Sequence, residues 1–312
     1  MKRALAALVV CCACLIALAA DEAPEGWPFD TAEAQRRQQD CAAGLGTEVT
    51  RTLTLPGGGT LTLVLIPSGR FLIGAPDGES LLDPDEGPRF VAEVPGPFWM
   101  SRCEITNAQY RLFRPDHSSG NIDTYWKDRV GPGPSLDGDD QPVVRVSWHE
   151  AKAFCEWLGQ QLGKTVRLPT EPEWEWACRA GTDSRFHCDP AELDKYANLA
   201  DASLRSIKPW ALRDNERNDG VAVSASVGRY LPNAWGLCDM HGNVAEWCES
   251  VYQPYPLNVT SESDATADPE APRVIRGGSW DDRPRRTRSA FRLSYPPSQR
   301  VYNVGFRVVV EE

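Results

Sequence analysis

The chain has 312 residues, with 33 lysines and arginines against 44 aspartates and glutamates, and a formal net charge of -11. An acidic surface of this kind repels nucleic acid and anionic membranes, so we expect neither as a partner. The length suits one large domain or two small ones, and the motifs described below are spread along the whole chain, which favours a single domain.

The N-terminus has the pattern of a secretory signal peptide. A charged start that contains Lys2 and Arg3 is followed by an uncharged apolar run over residues 4–20, with acidic residues directly after it. This run is short for a membrane span and ends in small residues, as signal peptides do. We predict cleavage after Ala19, so that residues 1–19 are a signal peptide. The mature protein is then exported, to a periplasm or the extracellular space, without stable membrane insertion.

Residues 20–50 form a polar lead followed by a short helix, for which Asp30 or Thr31 is the predicted N-cap. We expect this segment to be peripheral to the main domain, which is predicted to occupy residues 51–312. Within that domain, the apolar stretches on either side of residues 56–59 predict a β-hairpin, and residues 70–74 predict a further strand.

The middle of the chain predicts three helices joined by loops. Thr106 or Asn107 caps the first, and Ser147 forms a capping box with Glu150 for a helix over residues 148–162. Thr170 caps the third. Residues 114–141 are rich in Gly, Pro, Asp and Ser and are predicted to be a long surface loop. Residues 182–233 have weak periodicity, so their backbone groups need partners other than helix or sheet ladders, and a metal is a plausible partner.

The strongest local charge pattern lies near the C-terminus, after the Gly277-Gly278 pair. Glycines at this point permit positive φ and a close approach of the backbone, which leaves room for a small cleft. Five arginines follow within ten positions of an otherwise acidic chain: Arg283, Arg285, Arg286, Arg288 and Arg292. They either pair with the protein's own carboxylates, which is the favoured interpretation, or face an anionic ligand.

Three blocks of sequence resemble the signature motifs of a known family. They are Arg167-Leu-Pro-Thr-Glu-Pro-Glu-Trp-Glu175, Gly236-Leu-Cys-Asp-Met-His-Gly-Asn-Val-Ala-Glu-Trp247 and Arg273-Val-Ile-Arg-Gly-Gly-Ser-Trp280. In this order they resemble the formylglycine-generating enzyme, or sulfatase-modifying factor, family, and the likeness extends from about Leu53 to Val309. The resemblance implies an α+β fold, as a single compact domain with little regular secondary structure that is related to the C-type-lectin fold.

The resemblance is less specific for the reaction than for the fold. Family members that oxidise a sulfatase cysteine bind copper through two cysteines shortly after the Gly-Gly-Ser motif, but the last cysteine of this chain is Cys248. Neither Asp282 nor Thr287 offers the soft ligand that copper(I) prefers, so copper is not expected.

Seven cysteines remain once the signal peptide is removed. In an oxidising compartment an odd number leaves at least one thiol free or paired between molecules. Some family members bridge the cysteines that match Cys155 and Cys178 to partners near the C-terminus. Those partners are Ser289 and Val308 in this chain, so we expect neither bridge.

The resemblance also implies structural calcium, held by side-chain and backbone oxygens of the kind that suit a hard cation. One site is matched by Asn198, Leu199, Asp219 and Val221, and a second by Asp239, Gly242, Val244 and Glu246. For Glu246 a salt bridge to one of the C-terminal arginines is the competing interpretation.

These patterns favour an exported binding module that keeps the scaffold and the calcium sites but lacks the oxidation chemistry. Its cleft would take an anionic or carboxylate-bearing ligand, or an exported protein, through Trp280, Arg283, Arg285, Arg286, Arg288 and Arg292. The alternative is an oxidoreductase related to formylglycine-generating enzyme that oxidises protein cysteines, with Ser279 and Cys248 as candidate catalytic residues. A third, weaker hypothesis is an exported scaffold or surface protein.

Overall fold

The computed structural model describes residues 22–76, 78–79, 83–126, 129–257 and 268–311, and the predicted signal peptide lies outside them. The helices are α1 (Thr31–Leu45), α2 (Asn107–Arg111), α3 (Trp148–Leu162) and α4 (Glu171–Arg179). The strands are β1 (Thr50–Thr54), β2 (Thr60–Ile66), β3 (Gly69–Ile73), β4 (Phe90–Val94), β5 (Phe98–Ser101), β6 (Asn121–Trp126), β7 (Arg129–Ser135), β8 (Thr165–Arg167), β9 (Ala245–Val251), β10 (Arg273–Arg276), β11 (Arg292–Tyr295), β12 (Val304–Gly305) and β13 (Val309–Glu311). Within those ranges no helix is both long enough and apolar enough to cross a bilayer.

Two sheets organise the domain. The first has the strand order β1-β2-β5-β13-β8, with every neighbouring pair antiparallel. The second has the order β11-β10-β9-β12, in which β12 runs parallel to β9. Because β10 and β11 flank the arginine-rich segment, the second sheet places that segment beside the signature block that contains β9.

Each helix begins at a residue whose side chain caps it. The Asp30 carboxylate accepts from the backbone of Glu33 at the start of α1. Thr106, Ser147 and Thr170 each form a capping box at the start of α2, α3 and α4. The predicted bounds of α3 are confirmed, because its start and its end are both encoded locally.

The N-terminal lead is part of the core, so the expectation that it is peripheral is wrong. Trp27 is buried and its ring lies 5.6 Å from that of Trp176. In α1 the Gln38 side-chain amide donates to the carbonyls of Leu65 and Trp235, both at 2.9 Å. The buried face of α1 contains this polar residue, which satisfies two core carbonyls, and for that reason the apolar periodicity of the helix is weak.

The predicted surface loop over residues 114–141 is also wrong in part, because β6 and β7 form an antiparallel hairpin there. The sequence Arg-Val-Gly-Pro-Gly-Pro-Ser of β7 argues against a strand, since proline donates no ladder hydrogen bond. A two-stranded hairpin has free edges on which such residues are tolerated, and this explains the error.

Candidate functional site

The turn after β10 requires glycine. Gly277 and Gly278 have φ values of 90° and 65°. A Cβ atom on Gly278 would lie 2.3 Å from the carbonyl oxygen of Arg286, closer than any side chain allows. The two glycines therefore let the arginine-rich segment fold back directly onto the turn.

Ser279 follows this turn and its hydroxyl is fully engaged. It donates to Asp282 Oδ2 at 2.6 Å and accepts from Asn303 Nδ2 at 2.8 Å. Burial raises the pKa of Asp282. Trp280, expected in the cleft, is instead 1% exposed and its ring lies 5.9 Å from that of Tyr302. Its indole helps to form the wall behind the site rather than its surface.

A surface pocket of about 570 Å³ opens beside the turn. Three of the predicted arginines contribute to it, together with residues that the sequence did not indicate. The pocket is lined by Lys208, Trp210, Ala211, Leu212, Asp281, Asp282, Arg283, Arg285 and Arg286. Trp210 and Leu212 are 62% and 73% exposed, so the pocket combines cationic groups with exposed apolar surface.

Most of the charged side chains around the pocket form ion pairs with other side chains of the protein, at different distances. Arg285 pairs with Asp83 at 2.9 Å, and Arg286 lies 3.6 Å from Asp282. Lys208 pairs with Asp281. The side chains of Arg285 and Arg286 are 38% and 53% exposed. A ligand could therefore replace Asp83 and Asp282 as their partners at little energetic cost.

Arg288 and Arg292 do not edge the pocket, which corrects the expectation for both. The Arg288 guanidinium makes two hydrogen bonds of 2.6 Å to Glu86. Arg292 binds the two carboxylate oxygens of Glu171 at 2.8 and 2.7 Å. Both arginines are almost fully buried. The charge-assisted, bidentate geometry explains their burial, since an unpaired guanidinium would be costly there.

Two further arginines are buried in the same way. Arg307 holds both oxygens of Glu246 at 2.6 Å, and the Trp174 indole also donates to Glu246, at 2.7 Å. Arg276 pairs with Glu175 of α4. Glu246 is therefore in the salt bridge that competes with a calcium role. The block that contains α4 supplies carboxylates to the C-terminal segment, which gives it a structural role.

Cys248, the other candidate for oxidation chemistry, lies in the hydrophobic core and not among the lining residues of the pocket. Burial raises the pKa of its thiol well above the usual range. A buried thiol of this kind is a poor nucleophile and a poor metal ligand. Neither Cys248 nor Ser279 is among the lining residues of this pocket.

Cys178 of α4 lies against Ser289, and Cys155 of α3 lies in the same part of the core as Val308. The Cys178 sulfur lies 3.7 Å from the hydroxyl of Ser289. Cys155 packs in the same core cluster as Val308. Ser289 thus occupies the place of a second sulfur, and Cys178 remains a free thiol.

The first candidate calcium site contains a carboxylate pair. The Oδ1 atom of Asn198 is buried without a hydrogen-bond partner. Burial, with the adjoining carboxylate of Asp201, raises the pKa of Asp219 to about 6. Val221 donates its N–H to Asp219 Oδ1 at 2.8 Å, and the Leu199 carbonyl accepts from Asp201 at 2.8 Å. Asp201 was missed from the sequence, where nothing but its position near Asn198 indicated it.

The second candidate site contains another such pair. Asp239 Oδ1 and Glu104 Oε2 are both buried without hydrogen-bond partners. Burial raises the pKa of Asp239 to about 6, and it raises that of Glu104 well above its usual range. Gly242 and Val244, whose carbonyls were expected to contribute, belong to the same buried block. Glu104 was missed because it lies far from this block in sequence.

Across the described ranges, no group of three or more His, Cys, Asp or Glu side chains is placed to hold a metal. Any cation at either place would need carbonyl and amide oxygens to complete its coordination. The unpartnered buried oxygens of Asn198, Asp239 and Glu104 are hard donors, so their chemistry fits calcium. The stretch after the glycine turn offers carboxylate and hydroxyl groups, which do not fit copper(I).

These features define a chain of the sulfatase-modifying factor family. The sequence model of the family, described as the sulfatase-modifying factor enzyme 1-like domain, matches residues 56–312, and the chain belongs to it. It is 28% identical to the formylglycine-generating enzyme of Thermomonospora curvata over 295 residues, which cover 80% of this chain and 93% of that enzyme. It is also 28% identical to inactive C-alpha-formylglycine-generating enzyme 2 of Mus musculus over 290 residues, covering 78% and 84%.

Among solved structures, PvdO from Pseudomonas aeruginosa matches with a TM-score of 0.66 at 29% identity, covering 84% of this chain and 98% of that one. The predicted fold class is confirmed: a mixed α and β domain with few helices and many strands, of the sulfatase-modifying-factor and C-type-lectin-like kind. Because the relatives include an inactive protein beside an active enzyme, membership alone does not decide the chemistry.

Proposed function

We propose that this protein is an exported, non-oxidising member of the family whose pocket binds an anionic ligand. The observation that carries the proposal is the stretch after the Gly-Gly-Ser turn, in which no cysteine follows Cys248. Asp282 and Thr287 lie there instead, and Asp282 is hydrogen-bonded to Ser279. Tight binding of copper(I) needs soft sulfur ligands, which this stretch does not provide.

The lining of the pocket supports a particular ligand chemistry. Arg283, Arg285 and Arg286 present guanidinium groups, which bind carboxylate and phosphate in a bidentate manner. Trp210 and Leu212 add exposed apolar surface at the same opening. A segment of an exported protein with an acidic residue next to an aromatic or aliphatic one matches both properties.

A binding experiment tests this ligand class. Fluorescence-labelled peptides that alternate aspartate with phenylalanine or leucine are titrated against the purified protein. We expect binding that weakens with salt and falls at least tenfold in Arg283→Ala/Arg286→Ala, whereas Arg70→Ala, an exposed arginine on β3, has no effect. Equal affinity in all three proteins, or no binding by any acidic peptide, would remove the proposal.

A catalytic assay separates this function from the alternative oxidoreductase. The protein is incubated with copper, reductant, oxygen and a Cys-x-Pro-x-Arg peptide, with the Thermomonospora curvata enzyme as the positive control. We expect no mass change that reports aldehyde formation. Turnover that disappears in Cys248→Ser would instead make this protein an oxidase with a relocated thiol.

Structural calcium belongs to the same proposal. The Asp201–Asp219 and Glu104–Asp239 pairs each place two carboxyl groups together, all of them buried except the partly exposed Asp219, and a divalent cation would neutralise them. A ligand that binds only the folded state raises its stability by about 2.7 kcal/mol at a hundredfold excess over its Kd. Melting curves in calcium and in chelator should therefore separate, and less so in Asp219→Asn. Coincident curves, with no calcium found by elemental analysis, would refute it.

Export is supported by the charged start and apolar run of residues 1–19. Mass spectrometry of the native protein should find a mature N-terminus near Ala20. Recovery of an intact Met1 from the membrane fraction would contradict export by this route.

A further inference from the structure

A second pocket, of about 280 Å³, opens beside β2 and the segment that follows β5. It shares no lining residue with the pocket near the glycine turn. Its lining residues are Thr60, Leu61, Thr62, Arg102, Cys103, Glu104, Gln109, Val227 and Gly228. A cysteine and an arginine therefore reach solvent together away from the pocket of the anionic ligand, beside Glu104 of the second candidate calcium site.

A second cysteine lies directly behind this lining. The backbone N–H of Cys238 donates to the carbonyl of Arg102 at 2.9 Å, which brings Cys238 next to Cys103. The Arg307 guanidinium donates to the carbonyls of both Arg102 and Cys238, at 3.3 and 3.0 Å, and holds the two segments in this arrangement. The two thiols interact with one another, and the Arg102 side chain interacts with the Cys238 sulfur.

The two thiols differ in their access to solvent. Cys103 is partly exposed and lines the pocket, whereas Cys238 is fully buried. The residue that packs against the Cys103 sulfur is a glycine, since a Cβ atom on Gly228 would lie 3.3 Å from it. An accessible thiol with a buried thiol behind it is the arrangement of an attacking and a resolving cysteine.

We propose that Cys103 and Cys238 form a redox-active dithiol, which closes to a disulfide by exchange with a small, negatively charged disulfide that enters this pocket. The ligand class follows from Arg102, whose guanidinium is the cationic group of the lining. A guanidinium at this opening attracts a reagent that carries carboxylates.

The exchange proceeds in two balanced steps. The Cys103 sulfur loses its proton and attacks one sulfur of the small disulfide, which forms a mixed disulfide and releases one small thiol that takes up that proton. The Cys238 sulfur then attacks the Cys103 sulfur and displaces the second small thiol, which takes the proton of Cys238. Two protein thiols are oxidised to one disulfide, and one small disulfide is reduced to two thiols.

Mass spectrometry of the full chain tests the inference. The reduced protein is exposed to oxidised glutathione, quenched with acid, alkylated and digested. We expect a peptide pair joined through Cys103 and Cys238, with the loss of two hydrogen atoms. In Cys238→Ser the resolving thiol is missing, so a glutathione adduct should accumulate on Cys103. In Cys103→Ser the buried Cys238 should stay unmodified.

Two matched variants complete the experiment. Cys188→Ser removes another partly exposed cysteine and should leave the disulfide unchanged. Arg102→Gln should slow its formation severalfold. The inference is overturned if both thiols of the folded wild-type protein remain fully alkylated, or if Cys103 pairs with a cysteine other than Cys238. These two readouts come from wild-type protein and hold even where a serine variant does not fold.

Discussion

Replacing Ser289 with cysteine should create a disulfide between α4 and the arginine-rich segment. The Ser289 hydroxyl already lies 3.7 Å from the Cys178 sulfur, and both residues are fully buried. The N–H of Ser289 donates to the carbonyl of Arg185 at 2.8 Å, which holds its backbone in place. A thiol at this position therefore meets Cys178 without a rearrangement of the backbone.

The stabilisation expected from this bridge is set by the length of chain that it closes. The two residues are 111 positions apart, for which the loop-entropy relation gives about 4.8 kcal/mol at 25 °C. This figure is an upper bound, because strain in the native state subtracts from it. Set against a typical unfolding free energy of about 5–15 kcal/mol, even half of it is readily measured.

The assay is denaturant unfolding of Ser289→Cys, in oxidising and in reducing buffer. We expect the oxidised form to unfold at a higher denaturant concentration than the reduced form, with no free thiol at either position. Ser289→Ala is the matched control, since it removes the hydroxyl without offering a sulfur, and it should show no redox dependence. If the folded variant keeps both thiols free in oxidising buffer, the two side chains do not face each other as described.

Two further predictions concern buried charge. Arg307→Met leaves the Glu246 carboxylate buried without its partner, so urea denaturation should show a loss of about 3–5 kcal/mol, and a loss below 1 kcal/mol would contradict this pairing. Burial lowers the pKa of His187 to about 4, so the unfolded state binds more protons between pH 4 and 6.5. The contribution of His187 to stability should fall as the pH drops from about 6.5 to 4, by up to about 3 kcal/mol, so the stability difference between the wild type and His187→Asn in thermal melts should change over this range; a constant difference would refute the assignment.

Features that depend on neighbouring residues were predictable from the sequence. The capping box of Ser147 and Glu150 and the left-handed Gly163 fix both ends of α3, and all lie within a few positions of the helix. The glycine turn was predicted for the same reason. The hairpin of β6 and β7 was missed because its prolines argue locally against a strand that the fold nevertheless tolerates.

Features that depend on distant residues were not predictable. The partner of Arg288 is Glu86, 202 positions away, and the partner of Arg292 is Glu171, 121 positions away. Charge pattern indicated that such pairs form, but it contains no information about which carboxylate is near. The same holds for Glu104, which only the fold brings to Asp239.

The position of β13 constrains when this domain can become complete during synthesis. β13 follows every other strand of the described residues in chain order, yet it lies between β5 and β8 and pairs with both. Until residues 309–311 have been synthesised, β8 has no strand to pair with in this sheet, and it remains separate from the strands β1, β2 and β5. Removal of residues 309–311 would therefore leave β8 without the strand through which it joins the sheet.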